Sequence, residues 1–570
     1  MVLMLRLVSA ALLVALALTT TGDAALPPIA TDVKANTPQV AGDPTSDATA
    51  VFPTNKQNEP SIAVNPINNL LLIAGANDEQ RQPPCGPGPV RGEDAEESDC
   101  SFFPGVGTSG VYTSSDGGKT WINRGLLDDQ PSWSSLPIGQ RLVSDGDPFI
   151  VYGPRPDTQG NFSYANGARA YYASLASYYN NAGPYPPQHV PEFLAVAYSD
   201  DNGATWSAPV LATTKNNPLD FNDKEAIWVD DLPTSPYFGR VYVSWTEFRS
   251  KVCCPAEPVM VSVSRDGGQS FSAPRQLSPA SNTGNNAVSG RQGSMVRSGP
   301  DGTVYVAWEQ GFSQVIAVSR DGGATWSRPR SMGPVHDIPD PIPGSNFRDN
   351  SFPSIAADPR PGSTTVWAAW VNLTTAGARV VVTMSTNRGR TWSALQEVST
   401  AAEGEAFFQA LDVAPTGRVD VGYQAQVSID PATFGTGNAA IDSWYVSRPP
   451  GGSWSAPIKV STASSDPAVS AQNNLQRQFM GDYNTLVSTA STAWFVWTDT
   501  RLGAGCPAVD AYQQYLVENG LVVRGDMKDR LASRAGADPY ADDPSVKPAP
   551  PLVCPPAFGD SDVFVAIITP

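Results

Sequence analysis

The stretch SRDGGATW, residues 319–326, has the composition of a tight turn that ends on a tryptophan. Aspartate accepts hydrogen bonds from turn amides, glycine supplies a positive φ, and tryptophan buries a large apolar area. The phrase recurs as SSDGGKTW from residue 114, SDDNGATW from 199, SRDGGQSF from 264, STNRGRTW from 385 and a looser SRPPGGSW from 447. Spacings of roughly 55 to 85 residues between the copies indicate an array of repeated supersecondary units.

The residues around each phrase have the alternating pattern of β-strands. GSMVRSGPDGTVYVAWEQ contains two β-runs around a Pro-Asp-Gly turn, and QVIAVSRDGGATWSRP contains two more around the phrase. One repeat is therefore a four-stranded antiparallel meander, with strands A to D, and the phrase is its C–D turn. The same frame fits six further segments. The seventh unit has strands A to C, and we expect the N-terminal segment, within residues 38–53, to supply its fourth strand.

Repeated four-stranded sheets close around an axis into a β-propeller, which leaves few exposed sheet edges. The sequence thus predicts an all-β fold, a β-propeller of about seven four-stranded antiparallel blades. Residues 51–570 form this single domain, with an insertion at 501–560. Residues 1–25 have the pattern of a secretory signal peptide, with Arg6 before an apolar run. Residues 26–50 are expected to be a lead-in that contains the closing strand.

These turns resemble the Asp-box, or BNR, repeats of the sialidase superfamily, and the resemblance covers most of residues 58–568. It implies a structural role for the residue at the third place of each turn. Those residues are Asp116, Asp201, Asp266, Asp321 and Asn387. Sialidases of the usual type have six blades, so a six-bladed ring is the alternative to seven.

The composition of the chain limits the classes of partner that it can bind. The formal net charge of −18 repels phosphate groups, which argues against nucleic-acid binding. No segment after the leader has the length to span a membrane. We expect a secreted monomer that needs no cofactor and no metal, with a glycan or glycoconjugate as its partner.

The chain contains six cysteines, at positions that match no zinc signature. Within the repeat frame they all fall in B–C loops, at the end opposite to the phrases. They are Cys85, Cys100, Cys253, Cys254, Cys506 and Cys554. We expect Cys85–Cys100 and Cys506–Cys554 disulfides. Cys253 and Cys254 either form a vicinal disulfide or stay reduced.

Antiparallel geometry places the starts of the A strands at the same end as the long B–C loops. Long, stapled loops at one end of a scaffold predict the binding face. Three arginines from different blades stand at A-strand starts there, Arg291, Arg348 and Arg477. Sialidase-like enzymes hold a sugar carboxylate with three arginines, since a guanidinium bonds a carboxylate through two nitrogen atoms. The first blade lacks the family's arginine motif, so these three are analogues by position only.

The resemblance also implies catalytic roles at this end. Tyr483 is the candidate nucleophile, with Glu225 or Glu405 behind it, and Asp147 or Asp349 is the candidate acid. Lys224 and Gln409 are further candidate substrate-binding residues. Other A-strand starts contribute polar residues without an assigned role, among them Glu59 and Asp482.

Two functions follow. The first is a secreted, retaining, metal-independent glycoside hydrolase of the exo-alpha-sialidase type, acting on sialic acid or another acidic glycan. The second is a non-catalytic propeller that binds glycans or proteins in the cell envelope or the extracellular space. Fold does not decide between them.

Overall fold

The fold is described from a computed structural model. It covers residues 29–37, 56–80, 107–179, 192–213, 220–249, 256–279, 291–471, 475, 477–519, 551 and 553–570. Twenty-nine strands group into seven antiparallel sheets. The innermost strands of successive sheets contact one another, and the first contacts the seventh, so the sheets close into a ring. The prediction of a seven-bladed β-propeller is confirmed.

The first strand of the chain, β1, spans Ile29–Lys34 and belongs to the last blade. Blade 1 contains β2 (Gln57–Val64), β3 (Leu72–Asp78), β4 (Ser109–Ser114) and β5 (Ile122–Leu126). Blade 2 contains β6 (Leu142–Ser144), β7 (Phe149–Pro156), β8 (Phe162–Tyr178), β9 (Phe193–Ser199) and β10 (Val210–Leu211). Both β6 and β7 pair with β8, so together they are the innermost strand of this blade.

Blade 3 contains β11 (Asp220–Val229), β12 (Val241–Arg249), β13 (Val259–Ser264) and β14 (Arg275–Gln276). Blade 4 contains β15 (Arg291–Ser298), β16 (Val304–Gln310), β17 (Ser313–Ser319) and β18 (Arg330–Pro334). Blade 5 contains β19 (Ser354–Ala357), β20 (Val366–Thr374), β21 (Gly377–Ser385) and β22 (Gln396–Glu397).

Blade 6 contains β23 (Glu405–Val413), β24 (Val419–Ser428), β25 (Ala439–Arg448) and β26 (Ile458–Lys459). Blade 7 contains β27 (Thr485–Ser488), β28 (Ala493–Asp499) and β29 (Asp562–Thr569), with β1 as its outermost strand. Two α-helices, α1 (Pro131–Ser134) and α2 (Pro507–Glu518), lie between strands. No helix among the described residues is long and apolar enough to cross a membrane.

The ring is closed by the N-terminal strand. β1 pairs with β29 over its whole length, from Ile29 opposite Thr569 to Lys34 opposite Phe564. Arg501 Nη1 contacts Asp32 Oδ2 at 2.7 Å, which ties β1 to the segment after β28. The closing strand thus comes from the predicted lead-in, but the expected position within residues 38–53 was wrong. Ile29–Lys34 is the segment that pairs antiparallel with β29.

The repeated phrase is the C–D turn of its blade. In blade 4, Asp321 Oδ1 accepts from the Thr325 amide at 2.8 Å, and Asp321 Oδ2 accepts from the Thr325 hydroxyl. Ser319 Oγ donates to Asp321 and accepts from the Gly323 amide. Asn387 makes the matching contacts in blade 5. Every polar atom of the aspartate is therefore used within the turn.

The insertion between β28 and β29 carries the predicted Cys506–Cys554 disulfide. The bond holds the start of α2 against the segment that leads into β29. Buried side chains of α2, including Val509 and Leu516, pack with Phe558 in a small separate core. Cys85, Cys100, Cys253 and Cys254 lie outside the described residues, so their pairing stays a prediction.

Candidate active site

Bulges near one mouth of the channel turn side chains towards the axis. The pairing register shifts at this end of β2, β11, β15 and β23. Residues at the bulges and between β6 and β7 have left-handed backbone: Glu59 (φ 52°), Asp147 (φ 50°), Lys224 (φ 54°), Gly293 (φ 67°) and Phe408 (φ 46°). A bulge re-aims a side chain, and left-handed conformations of residues other than glycine are concentrated at functional sites. Left-handed backbone at equivalent positions of blades 1, 2 and 3 thus brings Glu59, Asp147 and Lys224 together.

Lys224 is the centre of this cluster. Its Nζ lies 2.9 Å from Asp482 Oδ2, 3.3 Å from Asp147 Oδ2 and 3.4 Å from Glu59 Oε1. The side chain is 5% exposed. The three carboxylates raise the pKa of Lys224 well above its usual value, against the opposing effect of burial. A lysine ammonium has three N–H donors, so three carboxylate partners use its full capacity.

Asp482 is held by a second cation. Arg348 donates from Nε to Oδ1 and from Nη2 to Oδ2, both at 2.7 Å. The guanidinium also lies 4.9 Å above the ring of Phe479. Nearby cations favour the ionised form of a carboxyl group. Asp482 is therefore a carboxylate locked between two positive charges.

An amide shell holds the acids of blades 1 and 2. Asn77 donates to Asn58 Oδ1 at 2.8 Å and to Glu59 Oε2 at 3.1 Å, and it accepts from the Asp147 amide at 2.7 Å. Burial and the neighbouring Glu59 raise the pKa of Asp147 and Lys224 lowers it, with the net result that the pKa is about 7. Two carboxyl groups this close favour a shared proton.

A cavity that is partly open to solvent lies beside the cluster. Its polar wall includes Lys224, Glu225, Asp482, Tyr483 and Asn484. The remaining wall is largely apolar. It includes Phe149, Gly293, Met295, Phe352, Pro353 and Phe408. A Cβ at Gly293 would meet the Phe352 ring within 2.2 Å, so glycine lets the aromatic ring reach the cavity. One charged wall and one aromatic wall suit a sugar, which has polar edges and apolar faces.

Glu225 and Asp482 are the two carboxylates that line the cavity. Neither oxygen of Glu225 has a hydrogen-bond partner among the described residues, and the side chain is buried. Burial raises the pKa of Glu225 well above its usual value, and the charge of Asp147 adds to the rise. The raised pKa favours the protonated form of Glu225, which faces the cavity beside Asp482 and its two cationic partners.

Tyr483 lines the same cavity, under the ammonium of Lys224 at 4.7 Å from the ring centre. Its hydroxyl donates to the Pro148 carbonyl at 3.2 Å. Burial raises the pKa of Tyr483 well above 10, and Asp147, Glu59 and Glu225 raise it further. These surroundings favour the neutral phenol.

The structure brings some of the sequence-predicted site residues together and separates others. Asp147, Lys224, Glu225, Arg348 and Tyr483 meet at the axis. Gln409 lines the cavity, but its amide donates to the backbone carbonyls of Phe352 and Ala369. Glu405 instead accepts from the backbone amide of Ala378 in blade 5.

None of the three arginines belongs to the cavity wall. Arg291 is fully enclosed beside Glu257, whose charge partly offsets a burial effect that lowers the arginine pKa. Arg477 and Asp349 are buried, and neither belongs to the cavity wall. Arg348 reaches the cluster, where it is bound to Asp482.

The sequence assigns no role to Glu59, Asp482 or Asn77, and it does not predict the aromatic wall. The A-strand frame already placed Glu59 and Asp482 at the end of the propeller where the charged cluster lies. Asn77 stands at the end of β3, where a polar residue has many ordinary reasons to occur. Nothing in the sequence marks Phe352 and Phe408 as facing a cavity instead of the core.

Comparison with known families matches the BNR/Asp-box repeat at residues 197–208, the turn of blade 2. No curated protein matches the chain. Among solved structures, a Hadza microbial sialidase is 13% identical with a TM-score of 0.36, covering 69% of this chain and 67% of its own.

Two other solved structures are similar at the same level. The intramolecular trans-sialidase from Ruminococcus gnavus is 13% identical with a TM-score of 0.36, covering 68% of this chain and 94% of its own. An alpha-L-arabinofuranosidase from Fusarium graminearum is 12% identical with a TM-score of 0.37, covering 73% and 92%. Likeness at this level carries no argument about the reaction.

Proposed function

We propose a function for this chain from one premise: it is a sialidase-like BNR/Asp-box β-propeller. The proposed function is that of a glycan-active enzyme, a retaining glycoside hydrolase whose reaction takes place in the axial cavity. The signal-peptide pattern of residues 1–25 supports secretion, so the proposed reaction takes place outside the cell. The enzyme is proposed to act as a monomer.

The observation that carries the proposal is the contrast between Glu225 and Asp482. Glu225 is buried and unpartnered, with a raised pKa, whereas Asp482 lies in direct contact with Lys224 and Arg348. Glycosidases need one acid and one carboxylate beside the scissile bond, and they obtain both by giving the two groups different surroundings.

In the proposed reaction, Glu225 donates its proton to the glycosidic oxygen as the bond to the anomeric carbon breaks. An Asp482 oxygen forms the new bond to the anomeric carbon, and the aglycone leaves as an alcohol. Glu225, now ionised, takes a proton from water, whose oxygen then displaces Asp482 from the sugar. The acid and the carboxylate return to their starting states, and no metal takes part.

Asp482 replaces Tyr483 as the proposed nucleophile for a physical reason. A tyrosine nucleophile must lose its proton, and the surrounding acids oppose that loss. Two cations, in contrast, already stabilise the charge of Asp482. We assign Tyr483 to positioning, as a platform under Lys224.

The test is hydrolysis of a panel of fluorogenic glycosides by the purified protein. It includes a sialoside, uronides and neutral pentosides and hexosides. With a substrate found, Glu225→Gln and Asp482→Asn should each lower kcat by about 100-fold or more. Asp321→Asn, at the far end of blade 4, is the control and should keep the native rate. No release from the whole panel would refute the hydrolase.

One observation favours the second function, a non-catalytic glycan- or protein-binding propeller. Both oxygens of Asp482 are bound by Arg348, and Oδ2 also contacts Lys224. Such a carboxylate has to loosen a charged hydrogen bond before it attacks carbon. Glycan binding without product release, measured on the same panel, would support this second function.

A further inference from the structure

The charge balance of the cavity decides which class of sugar can bind there. This inference rests on the proposed function. Among the described residues of the cluster, two cations face Glu59, Asp147 and Asp482. The Lys224 ammonium contacts all three acids, and Arg348 forms two hydrogen bonds to Asp482. The cluster therefore offers no surplus positive charge to an incoming anion.

We propose that the sugar bound in this cavity carries no carboxylate or sulfate group, so that the substrate is a neutral glycan. The acidic sugar expected from the sequence depends on three arginines converging at the site. Arg348 is committed to Asp482, while Arg291 and Arg477 lie outside the cavity wall. An anionic group would have to displace an internal carboxylate from its cation, which leaves a buried charge without a partner.

The other polar groups of the wall suit hydroxyl groups. Glu225 presents two unpartnered oxygens, which can accept from or donate to sugar hydroxyls. Asn484 donates to Gln424 at 2.9 Å and leaves its own oxygen unpartnered. Phe352 and Phe408 supply flat apolar surface to a sugar face. The chain's net charge of −18 adds a long-range field that disfavours anions.

Matched pairs of substrates test this inference. The native protein is given aryl β-glucoside with β-glucuronide and aryl β-galactoside with β-galacturonide, which differ in the C6 carboxylate alone. A sialoside and an α-arabinofuranoside complete the panel. In parallel, binding is measured on an array of the same matched neutral and acidic oligosaccharides.

Hydrolysis or binding that favours the neutral member by about 100-fold or more supports the inference. A preference for a uronide or the sialoside overturns this inference. Hydrolysis of that acidic substrate would still support the proposed hydrolase function. Neutral binding without hydrolysis overturns the hydrolase and supports the inference. Absence of both hydrolysis and binding overturns both.

A variant gives a second readout. Glu59→Gln removes one carboxylate from Lys224 and leaves the amide able to accept from Asn77. The neutral-to-acidic preference of the variant should fall at least about tenfold, while its melting temperature identifies any loss of folding. An unchanged preference in a folded variant would overturn the charge argument.

Discussion

Lys224 of blade 3 and Asp482 of blade 7 meet at the axis, with 2.9 Å between Nζ and Oδ2. The two residues stand at equivalent ends of innermost strands in blades that are not neighbours in the ring. Their ion pair therefore joins opposite parts of the propeller. It also fixes the ionisation of the carboxylate that we assign to the reaction.

Replacement of Lys224 should destabilise the folded protein. In Lys224→Met, three buried carboxylates lose their common cation, so the free energy of unfolding should fall by about 3–5 kcal/mol at pH 8. The loss should shrink at pH 5, because Asp147, with a pKa of about 7, is then protonated. Denaturant unfolding at both pH values measures this. Lys459→Met, at a half-exposed ion pair with Asp442, is the control and should change little. An equal loss at pH 5 and pH 8 would refute the shared-cation account.

The stability of the native chain should fall as pH rises from about 4 to about 7. Burial raises the pKa of Asp145, Asp230 and Asp231 to about 7 and of Asp412 to about 6, from 3.8. A carboxyl group with a raised folded-state pKa binds more protons in the folded chain, so deprotonation across that window favours unfolding.

The Asp-box turns act in the opposite direction at lower pH. Burial alone would raise the pKa of Asp321 and of its aspartate counterparts, but the hydrogen bonds of the turn together outweigh burial and lower the pKa. Their stabilisation is complete above the usual pKa of 3.8 and is lost as pH falls below it. We therefore expect maximal stability near pH 4–5 in a series of melting curves. A steady rise in stability up to pH 7 would contradict the assigned shifts.

The turn aspartate should matter for stability but not for activity. Asp321→Ala removes the acceptor of the Thr325 amide and hydroxyl and should lower the free energy of unfolding by about 1–2 kcal/mol. Asp321→Asn should lose less, because Asn387 of blade 5 accepts from the Thr391 amide and donates to the Thr391 hydroxyl. Chemical unfolding measures both variants. A loss of hydrolysis in folded Asp321→Asn would contradict the assignment of the reaction to the opposite end of the propeller.

Removal of the N-terminal strand should open the ring. A chain that begins at residue 38 lacks β1, so β29 is left with an unpaired edge, and Arg501 loses Asp32. We expect a melting temperature lower by about 10 °C or more, together with aggregation through the exposed edge. A chain that begins at residue 26 is the control. Equal melting temperatures would contradict closure by β1.

Much of the fold could be read from the sequence because its signals are local. The turn phrase in SRDGGATW and the alternation of its flanking strands need no long-range information. The closing strand was placed too late in the chain because Ile29–Lys34 is short and pairs with residues more than 500 positions away. A local sequence pattern does not predict pairing between residues so far apart in the chain.

The site was harder to predict than the fold. Antiparallel geometry correctly placed Lys224, Glu225 and Tyr483 at one mouth. It could not show that β-bulges turn Glu59 and Lys224 towards the axis, because a bulge depends on pairing with the next strand. Arginines at equivalent strand starts looked interchangeable, yet Arg291 is enclosed beside Glu257 and Arg348 reaches Asp482.

The most direct test of the two assigned roles is leaving-group dependence. For one accepted sugar, kcat/KM is measured with a good leaving group, dinitrophenol, and a poor one, methanol. Glu225→Ala should lose about 1,000-fold on the methyl glycoside and less than about tenfold on the dinitrophenyl glycoside, which needs no proton. Asp482→Ala should lose about 1,000-fold or more on both. Equal losses on the two substrates for Glu225→Ala, or native rates for Asp482→Ala, would contradict the account.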